Sequence, residues 1–482
     1  MPVPDAAIAA IDPAAPRHLL IAGERVPGDA QLEVIDPTTG AVFAQAPRAS
    51  AAQAERAIAA AKAAQPAWEA LGYDGRRPYL HALADAIDAR VEELATVLTR
   101  ERGGPIAECR REVGIAAGAI RHFADQRLED EVRRDTEAEW IVGQRYAQGV
   151  VVAITPWNRP MTLLSFKLGP ALITGNTVIA KPAPTTPLAT LLLGEIAATI
   201  LPPGVFQTLT DANDLGPLLT SHPDVAHVSF TGSTPTGKKV LASAAGTMKR
   251  FTLELGGNDA AILLDDADLD AVLPRIFAAA MINAGQVCYA AKRIYAPNAM
   301  LDAVCDGLAA LARAAVLGDG LDPATTIGPV QNRMQFEKVL GFIQSARDEG
   351  GTILTGGEAL GRGYFIAPTI VRDLPLTARL VREEQFGPAL PVLGYDSVEE
   401  VIAEANNSEF GLGGSIWTGD VARGIAIAAR IQSGTVWVNR HMSLPYDVPF
   451  GGAKESGLGL QNGREGMEDF TQLRIVNVAR SL

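Results

Sequence analysis

The chain has 482 residues, of which 48% are hydrophobic and 20% are charged, and its formal net charge is -13. This length exceeds what one hydrophobic core usually organises, so we predict a globular protein of two or three units. The excess of acidic over basic residues argues against a nucleic-acid partner. The sequence has no long apolar run of membrane-helix length, and its start at Met1 lacks a signal-peptide pattern, so we expect a cytoplasmic protein without a membrane partner.

The cysteine and histidine positions argue against disulfide and metal frameworks. Cys109, Cys288 and Cys305 are far apart in sequence, and none belongs to a Cys-x-x-Cys pair. The six histidines are scattered and show no metal-ligand spacing. We therefore predict no metal site.

The first part of the chain predicts helices followed by strands. Apolar residues recur at helical spacing over 51–63 and 76–102, with expected breaks at Pro66 and at 103–105. β-Branched runs at 149–154 and 176–180 each stop at a proline and predict strands separated by a helix.

The alternation of strand and helix then continues. Strands are predicted at 226–230 and 251–254 with a helix over 234–245 between them, which is typical of a parallel sheet. A helix around 271–284, a strand at 293–296 and later segments to 436–439 predict a second parallel-sheet unit. The predicted fold class is therefore α/β, with no internal repeat.

Three segments carry residues suited to covalent chemistry on a carbonyl group. Cys288 follows Asn283-Ala284-Gly285-Gln286-Val287, Glu254 opens Glu254-Leu255-Gly256-Gly257-Asn258, and Asn158 lies in Thr155-Pro156-Trp157-Asn158-Arg159-Pro160. A thiol, a carboxyl and a side-chain amide can act as nucleophile, base and oxyanion donor. Taken singly, a cysteine is more often a small buried hydrophobic residue and a glutamate is more often solvated.

Together these segments resemble the aldehyde dehydrogenase superfamily, and the resemblance continues through 230–233, 383–388 and 449–452. It implies an NAD(P)-dependent enzyme that oxidises an aldehyde to the carboxylic acid. In that chemistry Cys288 would form a thiohemiacetal and then a thioester, Asn158 would meet the oxyanion, and Glu254 would activate the hydrolytic water. Two alternatives remain: a catalytically silent binding relative, and a coenzyme A acylating enzyme, against which Glu254 argues.

The resemblance also implies a domain organisation. A Rossmann-like cofactor domain would comprise 1–124 and 147–255, and a catalytic domain 256–450. Segments 125–146 and 466–482, which include β-compatible stretches at 139–146 and 474–478, would form a small bridging sheet. Such a sheet implies a homodimer or homotetramer.

A dinucleotide site is expected without the usual glycine fingerprint. Gly457-Leu458-Gly459 with Gly463 has the wrong spacing for Gly-x-Gly-x-x-Gly, and we expect it to be a loop. Phe230-Thr231-Gly232-Ser233 instead ends a strand and opens a helix, where N–H groups can bind phosphate. Ser233 alone would more often be a helix N-cap.

The resemblance assigns cofactor-binding roles to one set of residues. Lys181 would bind the adenine-side ribose, although a lysine at the end of a strand often merely extends to solvent. Glu384 and Phe386 would hold the nicotinamide ribose and ring. The full set is Ile154, Thr155, Pro156, Trp157, Lys181, Ala183, Pro184, Gly216, Phe230, Gly232, Ser233, Leu255, Glu384 and Phe386.

Two departures from the family bear on the choice of cofactor. Pro184 stands where many NAD-preferring relatives have a glutamate that would repel a 2′-phosphate. Without that glutamate, this position admits either NAD or NADP. The family commonly has a turn that begins and ends with glycine; this chain keeps the last glycine, Gly216, but has Asp211 in place of the first. The negative charge of Asp211 would disfavour a 2′-phosphate. We therefore favour NAD, with NADP as the alternative.

The substrate pocket implied by the resemblance is mostly apolar and predicts a hydrophobic or aromatic aldehyde. Its residues are Arg159, Leu163, Phe166, Ile282, Val287, Tyr289 and Phe450. Arg159 departs from the aromatic residue common at its position, and Arg440 and His441 lie in a loop that the family uses at the pocket mouth. An anionic semialdehyde is therefore the alternative substrate.

One further lysine has two interpretations. By resemblance, Lys167 would support the Asn158 loop or a proton route. A surface lysine without a role explains it equally well.

Overall fold

The computed structural model describes residues 11–480. The predicted cofactor domain begins at residues 1–10 and the predicted bridging segment ends at 481–482, and these ends lie outside the described residues. Within 11–480, no helix has the length and hydropathy that crossing a bilayer requires.

The strands, in chain order, are β1 (Leu19–Ile21), β2 (Glu24–Val26), β3 (Ala30–Asp36), β4 (Ala41–Arg48), β5 (Glu131–Asp135), β6 (Glu139–Ala147), β7 (Val150–Ile154), β8 (Thr177–Lys181), β9 (Phe206–Thr208), β10 (Val225–Thr231), β11 (Arg250–Glu254), β12 (Asp259–Leu263), β13 (Ala291–Pro297), β14 (Thr352–Thr355), β15 (Thr369–Arg372), β16 (Ala389–Tyr395), β17 (Phe410–Gly411), β18 (Gly413–Trp417), β19 (Thr435–Val438), β20 (Ala453–Lys454), β21 (Gly457–Leu458) and β22 (Thr471–Ala479).

The α-helices are α1 (Ala51–Ala70), α2 (Gly72–Ala89), α3 (Val91–Arg102), α4 (Ile106–Ala124), α5 (Pro160–Ile173), α6 (Leu188–Ala197), α7 (Gly216–Ser221), α8 (Thr234–Ala244), α9 (Leu269–Met281), α10 (Leu301–Ala314), α11 (Arg333–Asp348), α12 (Arg379–Arg382), α13 (Val398–Asn406), α14 (Val421–Ala428) and α15 (Gly463–Asp469). Short 3-10 turns occupy Ala245–Thr247, Ile282–Gly285 and Asn298–Met300.

The first large sheet has the order β2-β1-β9-β8-β7-β10-β11-β21. Its central strands β9, β8, β7, β10 and β11 are parallel, and β7 and β8 are buried along their whole length. Ile154 pairs with both Lys181 and Phe230, and Thr231 pairs with Glu254. Because parallel strands end at the same edge of a sheet, this register places the ends of β7, β8, β10 and β11 side by side.

The second large sheet has the order β14-β15-β16-β13-β12-β18-β19 and is parallel from β15 to β19. Two separate apolar clusters pack around it, one including α11, α13 and α14 residues and the other including α9 and α10 residues. Helices therefore cover both faces, as a fully buried parallel sheet requires. The α/β class with two parallel sheets is confirmed.

The two β-compatible segments that fitted neither predicted sheet pair with each other. β22 pairs antiparallel with β6 from Thr471 opposite Ala147 to Ala479 opposite Glu139, and β5 completes a three-stranded sheet. β22 lies at its edge, and several apolar side chains of this sheet are exposed.

Several predicted boundaries were wrong. α1 continues through Pro66, because a capping box at Ser50 and the buried Trp68, whose indole N–H donates to the Leu172 carbonyl, stabilise the helix on both sides of the proline. The predicted helix over 76–102 is two helices that meet at Arg90. The expected loop at 457–459 includes β21, which pairs with the end of β11.

Candidate active site

Cys288 follows an unusual turn between α9 and β13. The helix predicted to reach residue 284 ends at Met281, and Asn283, Ala284 and Gly285 have φ values of 51°, 53° and 75°. Left-handed backbone is costly for alanine and is maintained only where surrounding contacts fix it. At Gly285 a Cβ would lie 2.5 Å from the Gly387 carbonyl oxygen, so the turn also requires glycine there.

Asn158 is attached to that turn. Its side-chain Nδ2 donates to the Gln286 carbonyl at 2.9 Å, and the Asn283 Nδ2 donates to the Asn158 carbonyl at 3.0 Å. The Asn158 amide has a second N–H, so it can donate a further hydrogen bond beside Cys288. The side chain is buried and its Oδ1 has no partner among residues 11–480.

Glu254 is the last residue of β11 and is almost fully buried. Burial raises its pKa to about 8, the nearby Lys167 charge lowers it and Asp469 raises it. Its Oε1 has no hydrogen-bond partner within the described part of the chain. A buried carboxyl group of this kind can hold or release a proton near neutral pH.

Lys167 lies on α5 and is 0% exposed, so the surface-lysine interpretation is wrong. Its Nζ donates to the Ser229 Oγ at 3.1 Å and the Thr231 Oγ1 at 2.8 Å. Burial lowers its pKa to about 7, whereas the charges of Glu254 and Cys288 raise it. Lys167 therefore interacts electrostatically with both Glu254 and Cys288.

The Cys288 thiol is partly buried and surrounded mainly by acidic groups. Burial raises its pKa to about 12; Lys292 lowers it, and Glu254, Glu384 and Asp259 raise it. Because a thiolate is the reactive form, a nearby positive charge is needed at this position.

Two consecutive glycines let the chain pass between the cysteine turn and the segment around residue 384. A Cβ on Gly257 would lie 2.6 Å from the Cys288 carbonyl oxygen, and a Cβ on Gly256 would lie 2.5 Å from Glu384 Oε2. The Gly257 N–H donates to Glu384 Oε1 at 3.0 Å. Any side chain at these positions would push Cys288 and Glu384 apart.

The predicted nicotinamide-side residues come together. The ring of Phe386, whose φ is 50°, lies 5.4 Å from the Trp157 ring in an edge-on arrangement. Trp157 follows Ile154, Thr155 and Pro156 beyond the end of β7, and Leu255 follows β11 at the same sheet edge.

The residues after β10 form a cradle that suits a dinucleotide phosphate. A Cβ on Gly232 would lie 2.5 Å from the Phe230 ring, so only glycine fits this turn. Ser233 occupies the N-cap position of α8, but its hydroxyl makes no capping bond and instead contacts the Thr236 hydroxyl at 2.9 Å. The unpaired N–H groups at the start of α8 fit an anion.

Lys181, at the end of β8, does not extend to solvent. Its Nζ lies 2.6 Å from Asp211 Oδ1, and both side chains are buried. Asp211 Oδ2 also accepts from the Leu215 N–H at 2.9 Å, directly before Gly216 and α7. Ala183 and Pro184 follow β8 at this edge.

Most of the predicted substrate residues surround Cys288. Val287, Tyr289 and Phe450 belong to one buried apolar cluster against which Ile282 and Cys288 pack. The rings of Tyr289 and Phe450 are 5.4 Å apart. Leu163 and Phe166 lie on α5, and the Phe166 ring is 6.2 Å from that of Tyr446, a residue that sequence reasoning missed.

Arg159 is 6% exposed and has no carboxylate within 4.0 Å among residues 11–480. Its guanidinium faces the Tyr289 hydroxyl, whose pKa burial raises and Arg159 lowers. The nearby Glu112 is instead paired with Arg102 at 3.2 Å and accepts from the Met161 N–H at 3.0 Å. Arg159 is therefore a buried cation beside the apolar cluster without a counter-ion in the described chain.

His441 does not line an open pocket mouth. Its imidazole is buried between Ser415 and the Tyr289 carbonyl, each 2.9 Å from a ring nitrogen. Burial lowers its pKa to about 4, so it is neutral. Arg440 is exposed, and its guanidinium contacts the Ser443 hydroxyl at 3.4 Å.

Sequence reasoning missed two charged residues behind Cys288. Lys292 lies four residues after the cysteine, and Asp259 begins the neighbouring strand β12. The available signal was the presence of charged residues in buried strands, namely Asp259 at the start of β12 and Lys292 with Arg293 in β13. Among the described residues, no group of three His, Cys, Asp or Glu side chains is arranged to hold a metal ion.

The fold is α/β; the Asn158 amide is bonded to the turn before Cys288, and a buried carboxyl group, Glu254, ends a parallel strand of the first sheet. The chain belongs to the aldehyde dehydrogenase family, whose model matches residues 26–476. By family it is an NAD(P)-dependent aldehyde dehydrogenase.

Comparisons with related sequences and with solved structures agree with this family assignment. The chain is 39% identical to a betaine aldehyde dehydrogenase of Rhizobium etli over 93% of each chain. It resembles the crystal structure of an NAD-dependent aldehyde dehydrogenase from Sinorhizobium meliloti with 34% identity and a TM-score of 0.95, covering 97% of this chain and 96% of the other. An NADP-dependent enzyme from E. coli is 35% identical with a TM-score of 0.94, covering 96% and 98%.

Proposed function

We propose that the protein oxidises an aldehyde to the free carboxylic acid through a covalent intermediate on Cys288. The observation that carries this proposal is the pair of hydrogen bonds that ties Asn158 to the turn preceding Cys288. The buried Glu254 supports it, because its Oε1 has no partner within the described part of the chain. A silent relative would have no need for three buried polar groups around one thiol. The residues after β7, β10 and β11 would form the cofactor side of this site, because these strands end side by side at one sheet edge.

In the first step, the Cys288 sulfur attacks the aldehyde carbon, and the thiol proton leaves to a nearby base. The second N–H of Asn158 donates to the oxygen of the resulting thiohemiacetal. A bound oxidised nicotinamide would supply the hydride acceptor for this oxidation. Glu384 and Phe386 would hold its nicotinamide end, whereas Ser233 and the start of α8 would hold the pyrophosphate.

In the second step, Glu254 takes a proton from the water that attacks the Cys288 thioester. The carboxylate form is required, and Lys167 favours that form at a buried position. Hydrolysis releases the acid and returns the thiol. The presence of Glu254 supports hydrolysis over transfer to coenzyme A.

The reaction is tested with Cys288→Ala. We expect kcat/KM for aldehyde oxidation to fall by at least about a thousandfold, because the nucleophile is removed. The dissociation constant for NAD, measured by calorimetry, should stay within about threefold, since the dinucleotide turn is untouched. Cys305→Ala is the matched control and should keep its turnover, whereas full turnover in Cys288→Ala would exclude the covalent route.

Two substrate classes are supported by different observations. The cluster of Tyr289, Phe450 and Val287 supports a hydrophobic or aromatic aldehyde. Arg159 supports an aldehyde that has a carboxylate at its other end. A buried guanidinium without a counter-ion is costly unless a ligand pairs with it. We favour the anionic class on this ground. Turnover of a four-carbon semialdehyde against butanal, which has a methyl group in place of the carboxylate, separates the two classes, with benzaldehyde as the aromatic probe.

NAD is the cofactor we favour. Asp211 is buried against Lys181 at 2.6 Å, so the positive charge nearest the end of β8 is already neutralised. A 2′-phosphate would find no unpaired cation there. Turnover with each dinucleotide tests this choice.

We also propose the domain and assembly roles of the sheets. Within the described residues, 11–124 and 147–255 form the cofactor domain, 256–450 the catalytic domain, and 125–146 with 466–480 a bridging element in a homodimer or homotetramer. Support comes from the three-stranded sheet, in which Val132, Tyr146, Leu473, Ile475 and Val478 are exposed apolar residues.

A further inference from the structure

Lys292 is a buried cation directly behind the cysteine turn. It lies on β13, and its side chain is 2% exposed. Its Nζ donates to the Cys288 carbonyl oxygen and lies 3.3 Å from Glu384 Oε1. The same Nζ is 5.7 Å from the centre of the Phe386 ring. One ammonium group therefore joins the nucleophile turn to the segment 384–386.

The neighbouring Arg293 does not share this role. Its guanidinium donates to the carbonyls of Asn258 at 2.9 Å and Ala405 at 3.1 Å. These bonds fix the backbone between β12 and α13, and none of them contacts the cysteine turn. Adjacent residues on a strand point to opposite faces, so Lys292 alone is directed toward Cys288.

The charges around Cys288 are unbalanced without Lys292. Glu254, Glu384 and Asp259 all disfavour the thiolate, and Lys292 has the largest effect in its favour. Lys167 is the other cation near the thiol, but its Nζ already donates to two hydroxyl groups, and burial lowers its pKa to about 7.

The side chains around the Lys292 ammonium group include two carboxyl groups and one imidazole. Asp259, at the start of β12, and Glu384 are the carboxyl groups near the ammonium. Burial raises the Asp259 pKa to about 7, and Lys292 lowers it. His441 also faces this region, but it is neutral because burial lowers its pKa to about 4. Lys292 is therefore the cation that faces these two carboxyl groups.

We propose that Lys292 is a positioning residue that holds the Cys288 backbone against the Glu384 segment and supplies the positive charge that stabilises the Cys288 thiolate. This role rests on the proposed function, in which Cys288 is the nucleophile. It predicts that removing the charge makes the thiol less reactive at neutral pH, even when no aldehyde is present.

The test is the pH dependence of Cys288 alkylation by iodoacetamide, followed by mass spectrometry of the peptide that contains it. In Lys292→Met, the midpoint of the alkylation profile should rise by about one pH unit, so that the rate below the midpoint falls about tenfold. Lys292→Arg should restore a profile close to wild type because it keeps the charge. Lys338→Met is the control, since Lys338 is exposed and its ammonium group donates to the Glu384 backbone carbonyl at 3.1 Å without contacting the cysteine turn.

A second variant covers the case in which Lys292→Met does not fold. Lys292→Gln keeps an N–H donor for the Cys288 carbonyl and removes only the charge, and it should show the same rise in midpoint. A wild-type midpoint in either folded variant overturns the proposal, even if KM for NAD changes. Failure of the proposed function has a different signature, namely aldehyde turnover that survives in Cys288→Ala.

Discussion

The ammonium group of Lys181 lies 2.6 Å from the carboxylate of Asp211, and both side chains are buried at the carboxyl edge of the first sheet. Asp211 was expected to disfavour a 2′-phosphate by direct repulsion. In the structure the aspartate also neutralises the lysine that could otherwise attract a phosphate, which is a second physical reason to propose NAD as the cofactor.

Asp211→Asn should therefore shift the cofactor preference toward NADP. The substitution leaves Lys181 without its counter-ion, and we expect the ratio of kcat/KM for NADP to that for NAD to rise about tenfold. Asp214→Asn is the control, because Asp214 lies in the same loop but pairs with Arg48 at the surface. A wild-type preference for NADP, or an unchanged ratio in Asp211→Asn, would contradict this account.

Arg159→Met should separate the two substrate classes. If Arg159 pairs with a substrate carboxylate, kcat/KM for a four-carbon semialdehyde should fall about a hundredfold, while butanal should change less than about threefold. Arg440→Met is the comparison, since Arg440 is exposed in the loop near the pocket and its loss should have a smaller effect. Equal losses for both aldehydes would show that Arg159 acts on structure and not on the carboxylate.

Ile475→Asp should weaken the proposed assembly. Ile475 is exposed on β22, the edge strand of the three-stranded sheet, and a carboxylate there would be desolvated if a second copy covered it. Light scattering should give a multiple of the 50.7 kDa chain mass for the wild type and a smaller species for the variant. Val421→Asp, at an exposed position on α14, is the control; a monomeric wild type would refute the assembly.

The sequence predicted the parts of the fold that depend on local pattern. Continuous β-branched runs such as 150–154 indicate buried parallel strands, and the structure has them there. Helix ends were predicted less well. Packing determines that α1 continues through Pro66 and that α9 ends at Met281, and the local sequence alone does not show either. The left-handed turn at 283–285 has glycine at only one position, so sequence pattern gave no sign of it.

The surroundings of the candidate site residues were harder to predict than the residues themselves. The motifs around Cys288, Glu254 and Asn158 were visible in the sequence. The burial of Lys167 and His441 was not visible in the sequence, because it depends on which distant strands cover these side chains. Long polar side chains are exposed by default, so only the folded chain reveals which of them are enclosed.

Glu254→Gln should slow hydrolysis of the thioester more than its formation. The amide cannot take a proton from water, so steady-state turnover should fall by about a hundredfold or more. A single-turnover burst of NADH should persist, because acyl transfer to Cys288 does not require Glu254 in this scheme. Stopped-flow absorbance measures both phases, and loss of the burst would mean that Glu254 acts on the thiol instead.

The pH dependence of hydrolysis gives an independent check on Glu254. Its pKa is raised to about 8, so the carboxylate that acts as base is scarce below that pH and increases as the pH rises through it. The hydrolysis rate should rise accordingly in the wild type and lose this rise in Glu254→Gln. Because Asp469 raises the Glu254 pKa, Asp469→Asn should move the rise to lower pH. A rise that stays in place in Asp469→Asn, or survives in Glu254→Gln, would assign the base to another group.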